Sequence, residues 1–138
     1  MLQVIWSLET QSRNDVVVRG TIFIRTQAGD FPCAGWRDEV MSMMDDLITI
    51  TLKLLNPKRT RKKDVVNFGP YFLAIEILDQ GMVTISFWRE YLPTALERLP
   101  PVTLPLVDYF QILLESGQRL LEACRAVGVL PYHPILGA

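Results

Sequence analysis

The chain is 138 residues long, 49% hydrophobic and 21% charged. That length and balance exclude intrinsic disorder and predict a single domain over residues 1–138. Its formal net charge of −1 argues against a protein that coats nucleic acid along its whole surface. No apolar run approaches the roughly 18 residues that a bilayer span requires, and MLQVIWSLETQ has no basic region ahead of an apolar one. Neither a membrane helix nor a secretory signal is therefore expected.

In chain order, Leu2, Val4, Trp6 and Leu8 alternate with Gln3, Ser7 and Glu9, the period of a half-buried strand. Val16, Val18, Ile22 and Ile24 repeat the pattern, opposed by Val17, Arg19, Thr21, Phe23 and Arg25. The polar TQSRND between the two runs predicts a hairpin. Gly20, in mid-strand, marks either a bulge or a close approach of another element.

WRDEVMSMMDDLITITLKLL carries two competing periods. Val40, Met43, Met44, Leu47, Thr51 and Leu54 follow helical spacing, whereas LITITL alternates as a strand would. The absence of Gly and Pro over this length favours one long helix from Trp36, stopped by Asn56-Pro57.

KDVVNF reads as a short strand. GPYFLAIEIL and MVTISFWRE form a clearer pair joined at Asp79-Gln80-Gly81, with Tyr71, Leu73, Ile75 and Ile77 on one face and Val83, Ile85 and Phe87 on the matching one. A short Gly-containing connection is a hairpin signal. Pro93, Pro100, Pro101 and Pro105 predict a stiff, largely irregular connection. A second helix is expected from about Leu104 to Val127, capped by Thr103 and ended by Gly128. The proline-broken tail VLPYHPILGA is expected to lie extended across the surface. The order ββ-α-βββ-α predicts an α+β fold: an antiparallel sheet of about five strands, with two long helices packed on one face.

Chemical candidates are few. GDFPCAGW places Cys33 ahead of the expected helix start, where a dipole could lower a thiol pKa. The only histidine, His133, lies in the tail. The structural reading is stronger: Pro32 ends a strand, Gly35 permits a turn, Trp36 plugs the core, and Asp38 with Glu39 complement the helix start. Cys33 and Cys124 are far apart in unlike contexts, which suits two free thiols in a reducing cytoplasm. Asp38 and Asp45, seven apart, would share a helix face, with Asp46 beside it. No Glu-x-x-His accompanies them, so this is a solvated acidic face or one that meets a basic partner.

NPKRTRKKD gathers Lys58, Arg59, Arg61, Lys62 and Lys63, the one candidate polyanion site; a solvated loop is the favoured reading. Fourteen basic residues, five of them in that run, leave nine elsewhere against fifteen acidic ones. Trp88 is out of phase with Val83, Ile85 and Phe87, so it should project from the other side of the sheet, next to Arg89 and Glu90, as an exposed anchor for a protein partner. The second helix is apolar nearly all round, as if covered by the tail or shared with a second copy in a homodimer. There is no Gly-rich phosphate loop, GxSxG, HExxH or CxxC, so no catalytic residue, metal site or cofactor is expected.

FPCAGWRDEV leading into an apolar helix, followed by NFGPYFLAIEIL opening a hairpin, resembles small bacterial proteins, some of them similar to immunity proteins of polymorphic or contact-dependent toxin systems. The resemblance covers about residues 31 to 90. It implies a non-catalytic binder that masks a toxin by shape and charge, and it carries over no catalytic residue. The expectation is thus a cytoplasmic protein-binding protein using Asp38, Asp45, Asp46, Trp88, Arg89 and Glu90. The alternative is a small-ligand or polyanion-binding module using the basic run 58–63.

Overall fold

The structure, a computed structural model, describes residues 1–9 and 18–126. Strand β1 (Leu2–Leu8) runs antiparallel to β2 (Arg19–Thr26), which also pairs with two three-residue strands, β3 (Gly29–Phe31) and β4 (Arg37–Glu39). Helix α1 (Val40–Leu54) follows. An antiparallel meander then runs through β5 (Lys63–Phe68), β6 (Tyr71–Ile77), β7 (Met82–Tyr91) and β8 (Thr94–Pro105), and helix α2 (Leu106–Ala126) comes last. The fold is α+β with two helices, but eight strands in two sheets replace the expected five or so in one. The expected connection over 10–15, Val16, Val17, Gly128, His133 and the tail lie outside the described residues.

Three expectations need correction, each for a physical reason. Residues 93–105 are not an irregular connection: β8 is an edge strand paired only with β7 among the described residues. An edge tolerates proline because the missing N–H is not owed to a second neighbour. Register shifts near Phe87 absorb further misfit. The first helix begins at Val40 rather than Trp36, because Arg37–Glu39 finds a ladder partner in Arg19–Thr21. The Val40 amide donates to Val18 O at 2.8 Å, and the helix opens with no acidic residue in its first turn. Thr103 is a β8 residue, its hydroxyl bonded to that of Thr84 at 2.8 Å, and not a helix cap.

The periodic readings explain the core. Val40, Met43, Met44, Leu47, Thr51 and Leu54 are all buried, joined by Met41 and Ile48, so the helical period prevails over LITITL. Ile75, Val83, Ile85 and Phe87 are fully inaccessible, and Leu73 nearly so. Each such side chain contributes about 1.5–3 kcal/mol of transfer free energy. Residues of both sheets and both helices form one buried cluster, and each helix touches strands of both sheets.

Gly20 turns out to be a close approach and not a bulge. The β1–β2 register runs unbroken from Leu2↔Thr26 to Leu8↔Gly20, and a Cβ on Gly20 would lie 1.9 Å from Ser7 O. Backbone cannot yield as a side chain end can, so Gly20→Ala should destabilise by about 1–3 kcal/mol or more, the usual cost of overpacking. A fall in the urea midpoint at constant m-value checks this.

Candidate functional site

The site grows from the end of the second sheet where β7 turns into β8. Phe87 faces the core, and Arg89 and Tyr91 continue the same face of the strand two and four residues further, past the edge of that core. Tyr71 on β6 lies opposite Arg89. The guanidinium donates from Nη1 to the Tyr71 hydroxyl at 2.8 Å. Its carbon sits 5.1 Å from the Tyr71 ring centroid and 4.9 Å from that of Tyr91. Two such cation–π contacts at a half-buried site are worth roughly 0.5–2 kcal/mol each and hold the arginine in one pose.

The FPCAGW junction buttresses this cluster from the first sheet. Trp36 packs edge-on against Tyr71 with centroids 5.7 Å apart, and its indole N–H donates to Asp38 Oδ2 at 3.0 Å. Gly69, at positive φ, lies under the same indole, where an added Cβ would meet Trp36 at 3.4 Å. Asp38 also accepts the Glu39 amide on Oδ1 at 2.8 Å. A continuous chain therefore runs Asp38–Trp36–Tyr71–Arg89–Tyr91. Beyond it the β7–β8 turn presents apolar side chains to solvent: Leu92 is 85% exposed, Leu96 56% and Tyr91 42%.

Of the residues expected to bind a partner, Asp38 and Arg89 thus fall in one region, whereas Glu90, exposed, alternates onto the Trp88 face of β7. Trp88 is on the opposite sheet face as its phase requires, but it is half-buried and not open. It stacks on Phe72 at 6.2 Å and 11° and donates to Ser86 Oγ at 2.8 Å. Asp38 is not on a helix and shares no helical face with Asp45. Asp45 is half-buried and Asp46 exposed on α1, each with an interaction of its own.

The basic run is partly committed to structure. Arg59 pairs with Asp64 at 2.9 Å and donates to Arg61 O, also at 2.9 Å. Burial opposes ionisation of Asp64, yet the Val65 amide and the Arg59 guanidinium hold its carboxyl below the usual range. Lys62 Nζ donates to Asn56 O at 3.1 Å and Leu54 O at 3.4 Å, satisfying the carbonyl end of α1. Lys58, Arg61 and Lys63 remain exposed. Cys33 is exposed and Cys124 buried, both as free thiols; burial pushes the Cys124 thiol up. With β4 between them, Cys33 does not sit at the start of α1, which removes the dipole argument for a reactive thiol.

On α2 the apolar surplus has a location. Val107 is 71% and Leu114 44% exposed, and with Phe110, Leu106 and Leu55 they line a groove of about 790 Å³. Among the described residues no helix is long and apolar enough to cross a membrane, and no group of His, Cys, Asp or Glu could hold a metal ion.

Compared with known proteins, the chain matches no family model, no curated protein and no solved structure.

Sequence reasoning missed Tyr71, Tyr91, Leu92 and Leu96 as members of the site. Phase alone could have placed Tyr71 and Tyr91, both in register with core positions. Leu96 was hidden because its strand was not expected.

Proposed function

We propose that this chain is a non-catalytic protein-binding protein, acting in the cytoplasm as an immunity protein that neutralises a toxin domain. The observation that carries the reading is the β7–β8 turn. Leu92, the most exposed large apolar residue there, stands beside an arginine fixed between two tyrosines. Tyr, Trp and Arg dominate interface energetics, and a preset arginine loses little entropy on binding. The acidic balance outside the basic run would speed association with a cationic toxin. Two free thiols suit a reducing compartment.

The test is co-expression with candidate toxin domains, beginning with any encoded beside this chain's gene. A stoichiometric complex and restored growth are expected. Tyr91→Ala combined with Leu92→Ala should weaken the complex by about 2 kcal/mol, roughly thirtyfold. Failure to form a complex, or a double variant that binds as tightly as the parent, counts against the reading.

A further inference from the structure

A second surface lies away from the β7–β8 turn, between the two sheets. A trough of about 580 Å³ is lined by Met1, Leu2, Gln3, Val4 and Ile5 on one side and by Val102, Thr103 and Leu104 on the other. A strand that offered its face would contribute every second residue. Here β1 and β8 contribute consecutive residues, so the walls are strand edges. Among the described residues β1 pairs only with β2 and β8 only with β7, which leaves both facing edges without a ladder partner.

The two edges are not equivalent. β8 carries Pro100, Pro101 and Pro105, whose nitrogens donate nothing, a device that blunts an edge. β1 has no proline from Leu2 to Leu8, so it keeps a full row of donors and acceptors. The floor is one stripe of α2: Asp108, Ile112, Glu115 and Arg119, with Ser116 beside it. From Asp108 to Arg119 the helix rises about 16 Å, the span of roughly five extended residues. An occupant side chain pointing down at every second position would meet an acid, an aliphatic residue, then a mixed acid–base pair.

We propose that this trough binds an extended segment of another protein by strand addition to β1, with a basic and then an apolar side chain directed at Asp108 and Ile112. Main-chain hydrogen bonds to the β1 edge supply the affinity, and the α2 stripe supplies the selection. Unpaired edges call for an extended backbone and offer nothing comparable to a helix, whose own amides are already satisfied.

The probe is a capped synthetic peptide, Thr-Lys-Thr-Val-Thr-Glu-Thr, together with its reversed sequence, titrated into the full chain and followed by backbone amide NMR. Saturable binding of one of them is expected, with the largest shifts in Leu2–Leu8. The same peptide N-methylated at alternate residues should bind at least tenfold more weakly, as should the parent peptide to Asp108→Lys combined with Glu115→Lys, both exposed positions. Three results would overturn the proposal: no saturable binding by either sequence, N-methylated peptide binding as tightly as the parent, or self-association through β1 that peptide does not displace. The Tyr91→Ala, Leu92→Ala variant should bind the peptide unchanged, so failure here is distinguishable from failure of the toxin-binding reading.

Discussion

Phe31→Ala is expected to lower the unfolding free energy by about 3–5 kcal/mol, the usual cost of truncating a buried aromatic. Against a total of about 5–15 kcal/mol for a domain of ordinary stability, that is a large fraction. Phe31 belongs to the three-residue strand β3 of the first sheet, yet it is 1% exposed and its ring lies among residues of the second. Its centroid is 5.1 Å from that of Phe87, 5.9 Å from Tyr71 and 6.0 Å from Phe68. Such tilted and edge-on pairs add about 0.5–1.5 kcal/mol each beyond the area they bury. Removing the ring leaves a cavity at the junction of the sheets, which cannot collapse without moving β3 against the second sheet. Phe31→Leu, which refills most of the volume, should cost much less. Urea unfolding of the three proteins at constant m-value measures both, and an Ala variant within 1 kcal/mol of the parent would refute the assignment of Phe31 as the tie between sheets.

The ease with which the sequence could be read tracks how many residues each element uses to declare its period. Helix α1 repeats its apolar stripe over four turns and β7 alternates from Met82 to Phe87, so their core faces follow from spacing alone, whereas β6 buries Leu73, Ala74 and Ile75 in succession. β3 and β4 are three residues each, too short to express alternation, and their pairing with β2 is a tertiary event. β8 was obscured by chemistry. Proline reports the lack of a donor, which only a strand with one free side can absorb, and the sequence does not say which strands lie at edges. The candidate site shows the same division. Phase alone puts Trp88 on the far face, but its burial depends on Phe72 across the ladder. Arg89 is the neighbour of Trp88 in sequence, whereas its partners come from β6 and its own strand end, brought together only by register.

Tyr109 should give the molecule a loss of stability at high pH. The hydroxyl of Tyr109 is buried on α2 against α1, 3.3 Å from Thr51 Oγ1, which donates to Leu47 O at 2.8 Å. Burial pushes its pKa up to about 12 from an ordinary 10.0, the bond with Thr51 opposing this only in part. Because the folded chain holds the phenolic proton more tightly than the unfolded one, this contribution is complete below pH 10 and is lost as pH rises through about 12. A displacement of two units at about 1.4 kcal/mol each amounts to roughly 2–3 kcal/mol. Tyr109→Phe keeps the ring and removes the titration. At pH 8 it should be less stable than the parent by about 1 kcal/mol, the net worth of a hydrogen bond. Between pH 10 and 12 the parent should lose that lead and fall behind, so the two denaturation curves cross. Parallel curves over that range would show that the phenol titrates without cost to the fold, and the α1–α2 contact would then have to be wet.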